Sequence, residues 1–292
     1  MKAADKILEK AKARVEPELL LVLSRIAAPR KSDGPPGAHL APENLAKAMH
    51  YAVTSPGKRL RPALVFAGAE AVGGRPEPVL AAACAVELVH AYSLVHDDLP
   101  AMDNAATRRG QPSLHKAMGE ATALLAGDAL LTEALGLIAD PWPKKRAHAS
   151  ARRRLQATFE LARAAGAGGM VGGQVDDVEA TGKVQGADTL RSIHARKTGR
   201  LIRAAVTIGG ILGGGSDRAI ERLAGYGSEI GLAFQLIDDV LDQDGLVPIL
   251  GADQVRHEAE AATQRAQEAL KPFGRRGRPL HALAEAMVAR LS

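Results

Sequence analysis

Residues 86–104 read VELVHAYSLVHDDLPAMDN, an apolar helical run that ends in a group of aspartates. Carboxylates crowded in this way repel one another unless cations lie between them. Pro100 disfavours helix at the residue before it, so we expect a helix end or kink that lets Asp103 fold back towards Asp97. The first cluster, Asp97, Asp98 and Asp103, therefore predicts a site for divalent metal ions.

A second cluster of aspartates lies far along the chain, where residues 231–242 read GLAFQLIDDVLD. At helical spacing, Asp238 and Asp242 lie one turn apart on one face, and Gln235 lies on the same side of the helix. Asp239 completes this second cluster. Magnesium prefers few carboxylates, several waters and phosphate oxygens, so the two clusters together predict a diphosphate as the third component of the site.

The composition of the chain favours helices. Of the 292 residues, 46% are hydrophobic but only 3% are aromatic, so we expect an all-α protein rather than a β-sandwich or barrel. No fixed-period repeat is present, which predicts a single domain over 1–292 with its ligand site between helices.

Local patterns predict where helices begin and end. Gly172-Gly173 is expected to separate two helices, and residues 273–277 to form a basic surface loop. Helices are predicted over 4–27, from 43 after a proline- and glycine-rich loop at 28–42, and near 61–73, 77–98, 115–139, 146–166, 187–213, 216–243 and 253–270.

Charge and cysteine content limit the class of protein and its compartment. The net charge is +5, but the basic residues are spread out apart from Lys144-Lys145-Arg146 and Arg152-Arg153-Arg154, which fit solvated surface around a loop, so we expect no nucleic-acid partner. The single cysteine, Cys84, excludes an intrachain disulfide framework and fits a reducing, cytoplasmic setting. The amino terminus has no apolar core of signal-peptide length, and no uncharged apolar stretch is long enough to span a bilayer. We therefore expect a soluble protein without stable membrane insertion.

A cationic loop precedes the first cluster, where residues 56–62 read PGKRLRP and place three cations in four positions. Lys58 supplies a compact charge and Arg61 a planar fork that matches phosphate oxygens, while Gly57 allows close backbone approach. These features favour an anion site, although the loop taken alone also fits plain solvated surface. Further candidate donors to an anion are His90, Arg108, Arg109, Lys197 and Thr198. His90 taken alone also fits an ordinary residue on the face of a helix.

Together these elements resemble the trans-polyprenyl diphosphate synthase family, of the bacterial farnesyl and geranylgeranyl diphosphate synthase type. The resemblance runs along nearly the whole chain and rests on motifs in a fixed order. They are GKRLRP at 57–62, VELVHAYSLVHDDLPAMDN at 86–104, RRG at 108–110, LLAGDALL at 124–131, GGQVDD at 172–177, HARKTGRLIRAA at 194–205 and GLAFQLIDDVLD at 231–242. The fold that the resemblance implies is a bundle of about a dozen helices around a central cavity, with the two aspartate clusters facing each other across its mouth.

The resemblance also implies a role for each candidate residue. Magnesium, with manganese as a substitute, would neutralise the diphosphate that leaves an allylic substrate. The implied metal ligands are Asp97, Asp103 and Asp238, supported by Asp98, Asp239 and Asp242. The implied ligands of the allylic diphosphate are Arg108, Lys197, Thr198 and Gln235, and those of isopentenyl diphosphate, bound without metal, are Gly57, Lys58, Arg61, His90 and Arg109. The catalytic residues would be Asp97, Asp98, Asp103, Arg108, Lys197 and Asp238, and the isopentenyl double bond would attack the allylic carbocation.

Product length should depend on the depth of an apolar tunnel below the first cluster. Tyr92 and Ser93 precede Asp97 by five and four residues. On a helix this spacing places Tyr92 about 7–8 Å below the metal site, where its ring could form the tunnel floor. Ordinary core packing is the alternative for this ring. An aromatic residue here resembles farnesyl synthases, so we expect a fifteen-carbon product, with geranyl and geranylgeranyl diphosphate as alternatives.

Two segments depart from the family pattern. Residues 104–107 lack the further acidic residues of many relatives. After Asp242 the family continues to a glycine-lysine turn, another aspartate and a second lysine, whereas residues 244–251 here read DGLVPILG. This flap is missing, either because the chain has lost it or because the sequence lacks an internal stretch. Its loss is expected to weaken allylic diphosphate binding and to let ionised substrate hydrolyse.

Three functions are weighed on this basis. The leading hypothesis is a magnesium-dependent prenyltransferase that makes farnesyl diphosphate and acts as a homodimer, as the family does. A non-catalytic subunit that modulates a partner synthase would explain the missing flap, but the intact aspartates and arginines argue against it. A class I terpene cyclase also ionises a diphosphate at an aspartate cluster, but it uses a single substrate and would leave the cationic loop without a purpose.

Overall fold

Helices form almost all of the regular structure of the chain, in a computed structural model that describes residues 3–27, 41–141, 149–183 and 185–291. In chain order they are α1 (Ala3–Ala27), α2 (Glu43–Thr54), α3 (Leu60–Ala71), α4 (Leu80–Asp97), α5 (Leu114–Met118), α6 (Glu120–Ala139), α7 (Ala151–Ala165), α8 (Met170–Ala180), α9 (Ala187–His194), α10 (Arg200–Leu212), α11 (Asp217–Asp242), α12 (Val247–Leu250), α13 (Ala252–Ala269) and α14 (Arg278–Val288). A π-helical turn, Ala195–Gly199, joins α9 to α10, and 3-10 turns at Glu77–Val79 and Lys271–Gly277 precede α4 and α14. Strand β1 (Thr107–Arg108) pairs antiparallel with β2 (Gln111–Pro112).

Helices α3 and α10 pack backbone to backbone in the core of the bundle. A Cβ added at Gly209 would lie 2.1 Å from the carbonyl oxygen of Val65, and one at Gly213 would lie 2.9 Å from the Cα of Ala69. Only glycine permits this approach. Since residue numbers rise together along the two contacts, α3 and α10 run parallel and begin at the same end of the bundle.

Helices α4 and α11 run in the opposite direction to α3 and α10. A Cβ added at Gly227 would lie 2.7 Å from the Cα of Arg203, and one at Gly231 would lie 2.8 Å from that of Gly199, so numbers fall along α10 as they rise along α11. A short connection joins α3 to α4, which packs back along it. The ends of α4 and α11 therefore meet the beginnings of α3 and α10 at one end of the bundle.

Two helical stretches of the described chain, Glu77–Asp97 and Glu120–Ala139, have the length and apolar composition of a membrane-crossing segment. The first is a core helix: 67% of its most apolar window is buried, against α3, α6 and α10 among others. Buried helices of globular proteins are apolar on all sides for this reason. In the second stretch only 39% of the corresponding window is buried, because α6 turns one apolar face outward.

The predicted all-α bundle is confirmed, but several local predictions were wrong. Gly172-Gly173, expected to separate helices, lies inside α8. The single helix predicted over 115–139 is divided at Gly119, whose φ of +87° ends α5. Residues 273–277 belong to a 3-10 turn that leads into α14, a helix that the sequence analysis missed. Most of the predicted 28–42 loop lies outside the described residues.

Candidate active site

The first aspartate cluster surrounds the turn that follows α4. Helix α4 ends at Asp97, and the backbone N–H of Asp103 donates to the carbonyl oxygen of Asp97 over 2.9 Å. The N–H of Asn104 donates to the carbonyl oxygen of Leu99 over 3.1 Å. This tight turn brings Asp103 back beside Asp97, which is the geometry that Pro100 led us to expect.

Asp98 holds an arginine beside the other two carboxylates. Its side chain is buried, and Arg108 Nε on strand β1 donates to Asp98 Oδ1 over 2.9 Å. This hydrogen bond is the largest of the influences that raise the pKa of Arg108, and the charges of Asp97 and Asp103 raise it further. Arg108 thus lies within electrostatic range of all three aspartates, and one oxygen of Asp98 is already occupied.

Asp97 is an ionisable group in a partly buried position. Burial raises the pKa of its carboxyl to about 6; Lys197 and Arg108 oppose the shift, and Asp103 and Asp98 add to it. The carboxylate form therefore exists at neutral pH against a desolvation penalty. A bound cation would relieve that penalty, which makes Asp97 a strong candidate metal ligand.

A cavity of about 570 Å³ opens beside Asp97, between α4, α8 and the π-helical turn. Part of its lining is polar and part is apolar. The polar part includes Arg61, His90, Ser93, Asp97, Gln174, Lys197 and Thr198; the apolar part includes Leu94, Met102, Met170 and a row of valines on α8, Val171, Val175 and Val178. Such a lining suits a ligand with an anionic head and a hydrocarbon tail.

Helix α8 contributes polar residues to which the sequence analysis gave no role. Lys197 Nζ donates to Asp177 Oδ2 over 2.7 Å, so Asp177 orients a lysine that lines the cavity. Gln174 also lines the cavity, and its buried Nε2 has no hydrogen-bond partner within the described chain. The motif GGQVDD at 172–177 was the signal that could have identified both residues.

The cationic loop and its predicted partners converge. Arg109 Nη1 donates to the carbonyl oxygen of Pro56 over 2.7 Å, and its Nη2 lies 3.4 Å from His90 Nε2. Since a guanidinium has only donors, His90 Nε2 must accept, and burial together with Arg61 and Arg109 lowers the pKa of His90 well below its usual value. Burial lowers the pKa of Arg61 to about 10, so it remains charged at neutral pH. Lys58 is exposed beside this group.

The second aspartate cluster lies at the same end of the bundle as the first, where α11 ends. Arg290, which follows α14, donates from Nη1 to Asp238 Oδ1 over 2.9 Å, and its guanidinium lies 5.8 Å from the ring centre of Phe234. Sequence analysis did not identify this arginine. Gln235 is half-buried one turn before Asp238. Within the described residues, no member of the second cluster lines the cavity beside Asp97.

Asp239 faces the turn that follows α11, where the family pattern has its flap. Its Oδ2 accepts the backbone N–H of Leu246 over 3.0 Å, and its Oδ1 lies 3.7 Å from His194 Nε2. Gly245 has a φ of +56°, and a Cβ there would lie 2.4 Å from the carboxyl carbon of Asp239. Residues 243–251, which include the short helix α12, are all that separates α11 from α13.

The aspartates of the first cluster fit magnesium, which takes part of its ligands from water and phosphate, better than they fit an ion that needs only protein ligands. No three histidine, cysteine or acidic side chains in the described part of the chain lie close enough together to bind one ion. Magnesium keeps several waters and takes phosphate oxygens, so one or two carboxylates suffice. Asp97 and Asp103, which the turn after α4 brings together, fit that requirement.

The sequence model of the polyprenyl synthetase family matches residues 42–251. The chain belongs to this family. A farnesyl diphosphate synthase of Geobacillus stearothermophilus is 40% identical to this polyprenyl synthetase over 261 residues, which cover 88% of this chain and 82% of that protein. A chloroplastic geranylgeranyl pyrophosphate synthase of Capsicum annuum is 40% identical over 265 residues, covering 84% and 71%. The apo crystal structure of an FPP/GFPP synthase from Zymomonas mobilis matches with a TM-score of 0.85 at 33% identity, over 98% of this chain and 99% of that one.

These comparisons confirm the predicted family, fold and enzyme class. The polyprenyl synthetase is a trans-prenyltransferase that elongates prenyl diphosphates. The names of the relatives differ in product, farnesyl in one case and geranylgeranyl in another. The determinants of product length must therefore be sought in the cavity of this chain.

We expect Asp97→Asn to stabilise the protein at pH 8 in EDTA. The folded pKa of Asp97, about 6, lies above the ordinary value of 3.8, so the folded state holds the proton more tightly than the unfolded state. Stability is then lost as pH rises from 3.8 to 6, and asparagine avoids that loss. Each kcal/mol recovered should raise the unfolding temperature by roughly 2–4 °C, measured by calorimetry.

The same pair of proteins compared near pH 4 provides the control. Wild-type Asp97 is neutral in the folded state there and its carboxyl is only about half ionised in the unfolded state, so the difference should shrink to a small part of its value at pH 8. An Asp97→Asn protein that unfolds at a lower temperature than wild type at pH 8 would contradict the assignment of Asp97 as a carboxylate that burial destabilises.

Proposed function

We propose that this polyprenyl synthetase joins isopentenyl diphosphate head-to-tail to dimethylallyl or geranyl diphosphate, with magnesium, and that its main product is farnesyl diphosphate. The observation that carries the proposal is the lining of the cavity of about 570 Å³ beside Asp97. Its charged residues suit diphosphate groups, and its valines and methionines suit a growing prenyl chain. The relatives named as farnesyl and geranylgeranyl synthases support the same reaction class.

The allylic diphosphate would bind at the polar residues around Asp97. The proposed protein ligands are Arg108, Lys197, Thr198 and Gln235, and the proposed metal ligands are Asp97, Asp103 and Asp238, with Asp98, Asp239 and Asp242 in support. When bound, magnesium would supply the positive charge that neutralises the departing diphosphate. Arg108 and Lys197 are already fixed by Asp98 and Asp177, so they can stabilise that charge without first reorganising.

Isopentenyl diphosphate would bind without metal at the cationic loop, through Gly57, Lys58, Arg61, His90 and Arg109. Arg61 and His90 line the same cavity as Asp97 and Lys197. The double bond of the second substrate can therefore face the allylic carbon as its bond to oxygen breaks. After the new carbon–carbon bond forms, a proton leaves, and diphosphate oxygens are the proposed acceptor.

The decisive experiment is to incubate the purified protein with labelled isopentenyl diphosphate and either dimethylallyl or geranyl diphosphate, in magnesium or in EDTA, and to separate the products by chromatography. We expect magnesium-dependent farnesyl diphosphate, together with some prenyl alcohol because the turn after α11 offers no flap against water. Asp97→Asn should lower kcat by about a hundredfold or more. Absence of elongation by well-folded wild-type protein would refute the proposal.

Tyr92 is the proposed floor of the prenyl tunnel. Its ring lines the cavity and meets the ring of His96 edge to face at 5.6 Å between centres. Its buried hydroxyl has no hydrogen-bond partner in the described structure, and burial raises its pKa to about 12. A ring without a polar anchor presents an apolar barrier to a prenyl chain. Ser93, next to it, also lines the cavity.

Replacing Tyr92 by alanine should lengthen the product to twenty carbons or more, because the space of the ring becomes available to the prenyl chain. Tyr92→Phe keeps the ring and should keep the wild-type product distribution. Both are read by chromatography of the dephosphorylated products. An active Tyr92→Ala enzyme with unchanged product length would show that Tyr92 only packs in the core.

A homodimer through α6 and α7 is also part of the proposal. These helices pack against each other and expose four large apolar side chains, Leu124 (47%), Leu125 (58%), Leu155 (71%) and Phe159 (61%). An apolar surface of this kind on one side of a protein commonly marks an interface. A second copy of the chain, presenting the same face, is the proposed partner.

Light scattering should give wild type a mass of twice the 30.5 kDa chain. The double variant Leu125→Glu, Phe159→Asp should run as a monomer, because charges would have to be buried in the interface. Ile249→Glu is the matched control: Ile249 is 45% exposed on α12. A double variant that keeps the wild-type mass would show that α6 and α7 do not form the interface.

The cytoplasm is the proposed location. Cys84 is free and buried, and burial raises its pKa well above the usual value, so the thiol is poorly reactive. With this single cysteine the chain cannot form an internal disulfide, so an oxidising compartment would not stabilise its fold.

A further inference from the structure

Arg59 is the cation of the cationic loop whose side chain bonds to groups of the protein and faces neither the cavity nor solvent. Sequence analysis gave roles to Lys58 and Arg61 but none to Arg59. Its side chain is only 4% exposed, whereas Lys58 is exposed and Arg61 lines the cavity. We propose that Arg59, with Glu87, is a positioning residue that fixes the cationic loop for the diphosphate of the second substrate without touching that diphosphate. This inference rests on the proposed function of the loop.

Four elements meet at the Arg59 guanidinium. Nη1 donates to Glu87 Oε1 on α4 over 2.7 Å, and Nε lies 3.4 Å from Glu16 Oε1 on α1. Nη2 donates to the carbonyl oxygens of Val53, at the end of α2, and Ser55, in the loop, over 3.0 and 3.2 Å. The backbone of Arg59 itself leads directly into α3. This one residue therefore ties the loop to four helices, three through its side chain and one through its backbone.

The backbone of the loop depends on these contacts. Arg59 adopts φ 52° and ψ 41°, a left-handed conformation that is unfavourable for residues with a Cβ. Such a conformation persists when surrounding contacts hold it. The carbonyl oxygens of Val53 and Ser55 accept from Arg59, and that of Pro56 accepts from Arg109. The loop that carries Gly57 and Lys58 is therefore fixed on both sides by arginines.

Glu87 balances charge behind the loop. Its side chain is 5% exposed and lies one helical turn before His90 on α4. Its charge raises the pKa of both Arg61 and Arg109, against the burial that lowers them. Glu87 thus offsets part of the repulsion among the arginines behind the loop, while its direct bond goes to Arg59. The bond between Glu87 and Arg59 holds the loop in place from the side of α4.

Arg59→Lys tests the inference, because lysine keeps the charge but cannot reach Glu87 and both carbonyl oxygens at once. We expect the KM for isopentenyl diphosphate to rise about tenfold, with kcat and the KM for geranyl diphosphate within about twofold of wild type. Titration calorimetry with isopentenyl diphosphate in EDTA should show the same tenfold loss of affinity. Glu87→Asp, which withdraws the carboxylate from Arg59, should shift the same parameters and serves if Arg59→Lys does not fold.

Arg153→Lys is the matched control. Arg153 Nη1 also donates to two carbonyl oxygens, those of Ile211 and Gly215, over 2.6 and 3.2 Å, but at the opposite end of α10 from the site. This variant should lose stability without a change in either KM. If Arg59→Lys instead lowers kcat and raises both KM values together, or leaves the isopentenyl KM unchanged, the positioning role is wrong.

Titration calorimetry with isopentenyl diphosphate distinguishes a failure of this inference from a failure of the proposed reaction. A wild-type protein that binds isopentenyl diphosphate in EDTA but elongates nothing would refute the reaction and leave the comparison of Arg59→Lys with wild type intact. A wild-type protein that elongates, but whose Arg59→Lys variant binds isopentenyl diphosphate as tightly, would refute the inference alone.

Discussion

Repulsion between like charges at one end of an apolar bundle is the constraint on which the rest of the structure depends. Three aspartates crowd around the turn after α4, and several arginines crowd around the loop before α3. Each group is partly relieved from within the chain: Asp98 binds Arg108, Asp177 binds Lys197 and Glu87 binds Arg59. The charges left without such a bond include the negative charge of Asp97 and Asp103 and the positive charge of Arg61 and Arg109. Those residual charges define where a cation and an anion can bind.

Sequence analysis identified the residues whose chemistry is carried by a local pattern. The end of α4 follows from Pro100, and the return of Asp103 to Asp97 follows from that end. The convergence of the cationic loop on His90 and Arg109 came through the family resemblance, since 19 residues of chain separate the last two. Propensity and periodicity do not predict which side chains meet across such a distance.

Residues that act through a neighbour were the ones missed. Sequence analysis assigned roles to Lys58 and Arg61, but nothing in the sequence shows that Arg59, in a left-handed conformation between them, bonds to Glu87 and to two carbonyl oxygens. Arg290 contacts Asp238 from the segment after residues 273–277, for which sequence analysis predicted no helix. These contacts are decided by tertiary packing, and a chain read in one dimension carries no direct signal for them.

The glycines show the same limit. Gly119 ends a helix because its φ is positive, as a glycine between helices is expected to do. Gly173 looked like a similar break, but it lies within α8, where a Cβ would sit 2.4 Å from the backbone nitrogen of Lys197. There glycine is needed for close packing against the π-helical turn. Sequence alone gives both glycines the same appearance.

The parallel packing of α3 and α10 through their glycines has a consequence for how this enzyme can change. The cationic loop stands at the start of α3 and Lys197 just before α10, so the distance between the two proposed anion sites is set by backbone packed against backbone. Side-chain substitutions in the proposed tunnel would change its depth without altering that distance. On the proposed function, the length of the product can therefore diversify while the geometry of bond formation stays constant.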